Sequence, residues 1–160
     1  MRKLSLALAG LLMLVLLPGC GGAGGGGGSV SWDGGIATAT DAVEAPQKIL
    51  LENQYQMERT QGPPNIYLLT RWQSRSPLPD EAELGIAEVR TRFIVEARPR
   101  SRNPSGADLY TVRIRAENEG RMSGESDYTS VEITADFREY ANRIANAIRD
   151  EIEMGTRVMD

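Results

Sequence analysis

The chain contains no histidine, and Cys20 is its only cysteine. Those two gaps exclude much of hydrolytic and metal chemistry. A Ser-His-Asp or Cys-His centre has no base, a zinc site has no cluster of nitrogen and sulfur ligands, and a lone cysteine cannot close an internal disulfide. The folded part must therefore hold itself together by packing. Lysine is nearly missing as well: beyond Lys3 only Lys48 remains, so arginine carries almost all the positive charge. That preference reads as the composition of a GC-rich genome rather than as selection for bidentate anion binding. Acidic residues outnumber basic ones by 22 to 18, a formal net charge of −4. Loss of Arg2 and Lys3 with a leader would make it more negative still. Such a chain has no global attraction to nucleic acid or anionic lipid, and no nucleic-acid partner is expected. The longest apolar run also falls short of the roughly 20 residues that a spanning helix needs.

What is present begins at the amino terminus. Met1-Arg2-Lys3 is positively charged, Leu4 to Leu17 is apolar, and Pro18-Gly19 breaks the run before Cys20. That is the order of a secretory signal. Leu17-Pro18-Gly19-Cys20 resembles the lipobox of bacterial prolipoproteins, an aliphatic residue, two small residues and a cysteine, with Pro18 standing where alanine or serine is usual. The resemblance covers the leader and anchor alone. It implies that residues 1–19 are a removable signal peptide and that the Cys20 sulfur receives a diacylglycerol. It further implies that the new amino terminus is acylated, so the protein is held to a membrane by covalent lipid with no spanning helix. Gly21, rather than aspartate, after the cysteine resembles the outer-membrane pattern of diderm lipoproteins. The implied location is the outer membrane facing the periplasm, with the outer leaflet of the cytoplasmic membrane as the alternative.

Residues 20–31 read as the lipidated cysteine and a glycine-rich tether, because Gly21 to Ser31 cannot bury apolar surface. Some 10 residues of this kind span about 15–20 Å. A chance G-x-G-x-x-G in the tract follows no strand and opens no helix, so it does not indicate a nucleotide site.

Residues 32–160 read as one α+β domain. Thr40-Asp41 with Glu44 starts a helix that carries Ile49, Leu50, Leu51, Tyr55 and Met57 on one side and ends near Arg59 or Thr60; Pro46 suits its first turn. Period-two segments follow. Ile66 to Ser74 places Ile66, Leu68, Thr70 and Trp72 on one face. Val89, Thr91, Phe93, Val95 and Ala97 form a second apolar row, and Tyr110, Val112, Ile114 and Ala116 a third. Asn118 to Asp127 reads as a polar loop before a short strand, Thr129 to Ile133. Phe137, Tyr140, Ala141, Ile144, Ala147, Ile148 and Ile152 recur at helical spacing behind an Asp136/Glu139 start, with Gly155 as the stop. The expected architecture is two helices packed on one face of a three- to four-stranded, mainly antiparallel sheet. Helix, meander, helix behind a short tether is similar, by architecture alone, to several envelope-assembly lipoproteins, including the lipopolysaccharide-transport accessory type.

Candidate chemistry is sparse. Asp80, Glu81 and Glu83 gather beside Pro77-Leu78-Pro79, but their spacing is not that of a calcium loop, and they read as a solvated acidic turn. No catalytic residue, metal ligand or cofactor is expected. The distinctive surface is the outer sheet face, where Arg90, Arg92, Arg98, Arg113 and Arg115 lie among Glu88, Glu96 and Glu117. It reads either as a solvated face laced by cross-strand charge pairs or as a binding face for an acidic partner, a lipid phosphate or a polysaccharide carboxylate. The expected function is a noncatalytic, membrane-anchored envelope lipoprotein with a protein-interaction or scaffold role. The alternative is a binding module for an envelope lipid or glycan.

Overall fold

The structure, a computed structural model, describes residues 27–100 and 108–157. Leu17, Pro18, Gly19 and Cys20 lie outside the described residues. The order of elements is β1 (Ser29–Thr38), α1 (Asp41–Glu52), β2 (Met57–Gln61), β3 (Ile66–Thr70), β4 (Gln73–Arg75), α2 (Pro79–Glu83), β5 (Ile86–Pro99), β6 (Leu109–Met122), β7 (Thr129–Ser130) and α3 (Ala135–Arg157). All pairings are antiparallel, in the order β1-β6-β5-β3-β2, with β4 also on β5 and β7 on β6. Among the described residues the class remains α+β, but the expected three- to four-stranded sheet is corrected to one of seven strands, and two helices become three. The helix-meander-helix plan is replaced, and with it the architectural likeness to the lipopolysaccharide-transport accessory type.

The differences have local causes. Serine and glycine hid β1, whose inward side is Val30, Trp32, Gly34 and Ala37. A Cβ at Gly34 would stand 2.8 Å from Val112 Cγ1, so only glycine lets β1 lie this close to β6. Helix α1 stops at Glu52 rather than near Thr60. Its end is a Schellman turn: the Tyr55 N–H donates to Leu50 O at 2.8 Å, the Gln54 N–H donates to Leu51 O at 2.9 Å, and Gln54 has φ 67°. With glutamine in the left-handed position where glycine is usual, the stop carried no sequence signal. Pro46 sits within α1, beyond the first turn, and Leu51 is exposed.

The Ile66 to Ser74 segment is broken by a bulge. Leu69 pairs with Ile94 but Gln73 pairs with Thr91, a register slip of one residue. At the break the Thr70 hydroxyl accepts the Phe93 N–H at 2.9 Å, replacing a ladder bond. The slip turns Trp72 to the face opposite Ile66, Leu68 and Thr70. Strand β6 runs through the expected loop to Met122, because its inward positions there are Asn118 and Gly120, polar and small rather than apolar. Strand β7 is only Thr129–Ser130. Helix α3 is capped by Thr134, whose hydroxyl accepts the Phe137 N–H at 3.2 Å, rather than by Asp136. It continues through Gly155, where a Cβ would stand 2.7 Å from Asp41 Oδ1. That glycine serves close packing of α3 on the start of α1, not termination.

Helices α1 and α3 cover one face of the sheet. Ala42, Ala45, Ile49 and Leu50 of α1 and Phe137, Ala141, Ile144, Ala145, Ile148 and Ile152 of α3 meet Leu68, Phe93, Val95, Val112, Ile114 and Ala116 of the sheet. Tyr55 and Phe93 meet edge to face at 4.8 Å, and the Tyr55 and Tyr140 hydroxyls are 2.8 Å apart. Among the described residues no helix lies on the opposite face of the sheet.

Candidate functional site

The uncovered face is organised by register. Residues directly opposite in antiparallel strands point the same way, so the pairings define rows across the sheet. One row is Gln61, Tyr67, Glu96, Arg113 and Asp33, and the next is Arg59, Leu69, Ile94, Arg115 and Ser31. Beyond these lie Arg92 with Glu117, Arg90 with Glu119, and Glu88 with Arg121. Arg98 stands opposite Thr111 at the other end. All five arginines expected there, Arg90, Arg92, Arg98, Arg113 and Arg115, do share this face.

They divide into two groups. Arg90 Nε donates to Glu119 Oε2 at 2.7 Å and Arg92 Nε to Glu117 Oε2 at 2.7 Å, while Arg121 pairs with Glu88. Arg115 Nε lies 3.5 Å from Glu117 Oε1, too poorly aligned for a hydrogen bond. The Arg92 guanidinium carbon is 4.4 Å from the Trp72 ring centroid, that of Arg90 is 4.8 Å from Trp72 and 4.4 Å from Tyr128, and that of Arg121 is 5.3 Å from Tyr128. The result is a ladder, Arg92, Trp72, Arg90, Tyr128, Arg121, backed by glutamates. Stacking of this kind contributes about 0.5–1 kcal/mol per exposed pair. The Arg121 guanidinium and the Tyr128 hydroxyl, both bonded to Glu88, hold its carboxyl below the ordinary range.

The second group is Arg98 and Arg113, joined by Arg59 from β2. Among the described residues none of the three has a carboxylate within ion-pair distance. Arg59 donates to Gln61 Oε1 at 3.0 Å and stacks on Tyr67 at 5.5 Å. Two hollows meet here. One of about 480 Å³ is lined by Arg59, Gln61, Asn65, Tyr67, Glu96 and Arg98, and one of about 220 Å³ by Glu96, Arg98, Thr111 and Arg113.

Reading the sequence alone missed Trp72, Tyr67, Tyr128, Arg59 and Arg121. Strict alternation placed Trp72 on the inner face, and only the bulge turns it outward. Arg59 was assigned to a helix end. Glu81 was misplaced too: far from being solvated, it is fully buried. Arg75 grips it bidentately at 2.6 and 2.7 Å, the Leu78 N–H donates to it at 2.8 Å, and Asn118 Nδ2 at 2.7 Å. Thr91 donates to Asn118 Oδ1 at 3.1 Å, and Arg75 stacks on Phe137 and Tyr140, 5.4 Å from each ring. Burial pushes the Glu81 carboxyl up, but Arg75, the Leu78 amide and Asn118 together outweigh it and leave the pKa below the ordinary value. The Asp80 carboxylate accepts the Asp136 N–H at 2.8 Å, and the Asp136 carboxylate accepts the Asp80 N–H at 3.3 Å. Tyr55 is pushed far up, first by burial and then by Tyr140. These groups clamp β4 and α2 to the core. Every oxygen of Glu81 is engaged internally, which leaves it no lone pair facing a substrate.

No helix among the described residues is long and apolar enough to cross a membrane. No protein-family model matches the chain, and no curated protein matches it. The fold and site define a class only: an α+β sheet domain with one face packed and the other an arginine- and aromatic-rich surface.

Proposed function

We propose that this chain is a membrane-anchored envelope lipoprotein with a noncatalytic protein-interaction or scaffold role, lipidated at Cys20 and docking its partner on the uncovered sheet face. The observation that carries the docking role is the ladder of Arg92, Trp72, Arg90, Tyr128 and Arg121. Arginine, tryptophan and tyrosine are the residues enriched at interface centres, and here neighbouring rings and glutamates already order their side chains, which lowers the entropy cost of binding. The anchor is supported by the charged start, apolar run, Leu17-Pro18-Gly19-Cys20 and glycines in sequence. The outer membrane facing the periplasm is the proposed location, with the outer leaflet of the cytoplasmic membrane second.

Radioactive palmitate fed to cells is expected to label the parent and not Cys20→Ser; equal label in both would end the lipoprotein reading. Charge reversal at Arg92 and Arg113 is expected to release a partner crosslinked to the parent in membranes, and an unchanged crosslink would remove the face from the proposal. A second reading, a module for an envelope lipid or glycan, is favoured by one observation: among the described residues Arg59, Arg98 and Arg113 form no ion pair, although Glu96 and Asp33 stand on either side of Arg113, whereas the arginines of the ladder are paired.

A further inference from the structure

We infer that the corner formed by Arg59, Arg98, Arg113, Tyr67 and Glu96 binds the carboxylate-bearing sugar units of an acidic polysaccharide. The inference rests on the glycan reading just given and names its ligand. The contrast within one sheet face is its starting point. Arg90, Arg92 and Arg121 spend their charge on Glu119, Glu117 and Glu88, whereas Arg59, Arg98 and Arg113 have no such partner among the described residues. A guanidinium without a carboxylate of its own presents a fork matched to an incoming one.

The rest of the corner suits a sugar rather than a bare anion. Tyr67 is half-buried on β3 and lines the larger hollow with the Arg59 guanidinium over its ring, so an aromatic body and a polar tip stand beside the arginines. Glu96 is central, lining both hollows, and it stands beside Tyr67 on one strand and Arg113 on the other. A phosphate dianion placed there would meet a fixed like charge. A singly charged sugar acid instead offers hydroxyls for Glu96 to accept while its carboxylate turns to the arginines. The two hollows share Glu96 and Arg98, so successive units of one chain can occupy them side by side.

The test is calorimetric titration of the full lipidated chain in detergent with a short oligogalacturonate. The expected result is binding that weakens at least tenfold when the oligomer is fully methyl-esterified. The Arg98→Ala/Arg113→Ala double variant should weaken it at least tenfold, and Tyr67→Ala more than Tyr67→Phe. Arg149→Ala, on the exposed side of α3 and outside both surfaces, should bind as the parent does. The inference is overturned by no binding, by equal binding of acid and ester, by equal loss in Arg149→Ala, or by inorganic phosphate competing at the same concentration as the oligomer. Circular dichroism of each variant separates lost binding from lost fold. Any of those failures leaves palmitate labelling untouched, and because Arg113 belongs to both tests, charge reversal at Arg92 alone reads the docking role separately from the corner.

Discussion

Glu81 shows how much one side chain can decide. It is a fully buried carboxylate whose three kinds of donor come from β4, the turn before α2, and β6. Removing one partner of such a pair leaves an uncompensated charge, at a cost of about 3–5 kcal/mol. Arg75→Ala is therefore expected to lower the unfolding free energy, read from urea titration at pH 7, by an amount of that order. The pH dependence has a definite sign. The folded pKa of Glu81 lies below its ordinary 4.5, so its contribution is fully present above 4.5 and is lost as pH falls through the lower folded value. Glu81→Gln should flatten the loss of stability in that acid window; an unchanged acid limb would mean that other carboxylates dominate it. None of this was legible from composition. Asp80, Glu81 and Glu83 look alike in sequence, and only Arg75, six positions earlier, and Asn118, far along the chain, single out the middle one.

At the scale of elements, legibility followed the signal that each residue type carries. The alternation of Val89 to Ala97 and Tyr110 to Ala116 marked two central strands, and the spacing of Phe137, Ala141, Ile144, Ile148 and Ile152 marked α3, because apolar side chains report burial directly. Elements were lost where the backbone does what its residues do not advertise. Gln54 turns left-handed without being glycine, Thr70 bridges a bulge with its hydroxyl, and Gly34 sits inside a strand. The first is directly testable. A non-glycine residue in the left-handed region carries a steric cost of about 1–2 kcal/mol, partly offset by the greater freedom of glycine in the unfolded chain. Gln54→Gly should raise stability by roughly 0.5–1 kcal/mol, read as a higher urea midpoint with unchanged slope. A loss of stability would show that the glutamine side chain, not its backbone, matters there. The arginine face was legible as a set of residues. Its division into a neutralised ladder and an unneutralised corner was not, because that depends on Trp72 and Arg59, both misplaced by a single register or helix-end error.

At the scale of the molecule, β1 is the correction with the widest reach. It pairs with β6 from Ser29 to Thr38 and lies under α3, so Ser29, Val30 and Ser31, which read as the end of a tether, belong to a strand that closes one edge of the core. A chain beginning at Gly27 is expected to fold and unfold cooperatively. One beginning at Ala39 should aggregate, since it bares β6 and the inner positions that Trp32 and Ala37 cover. Size-exclusion chromatography and circular dichroism distinguish the two outcomes, and a well-folded shorter chain would make β1 dispensable. The same strand gives the molecule two poles. The chain enters the sheet at Ser29, opposite Glu117 and with Gly28 against Ser130, and β1 runs toward Thr38 opposite Leu109. Arg98, across from Thr111, lies six residues of β6 from Glu117, or about 20 Å at ~3.3 Å per residue. An anchor at Cys20 would thus pull on one pole while the arginine corner occupies the other. Held by the proposed lipid, the protein would stand on its first strand and offer that corner to whatever lies across the gap from its bilayer.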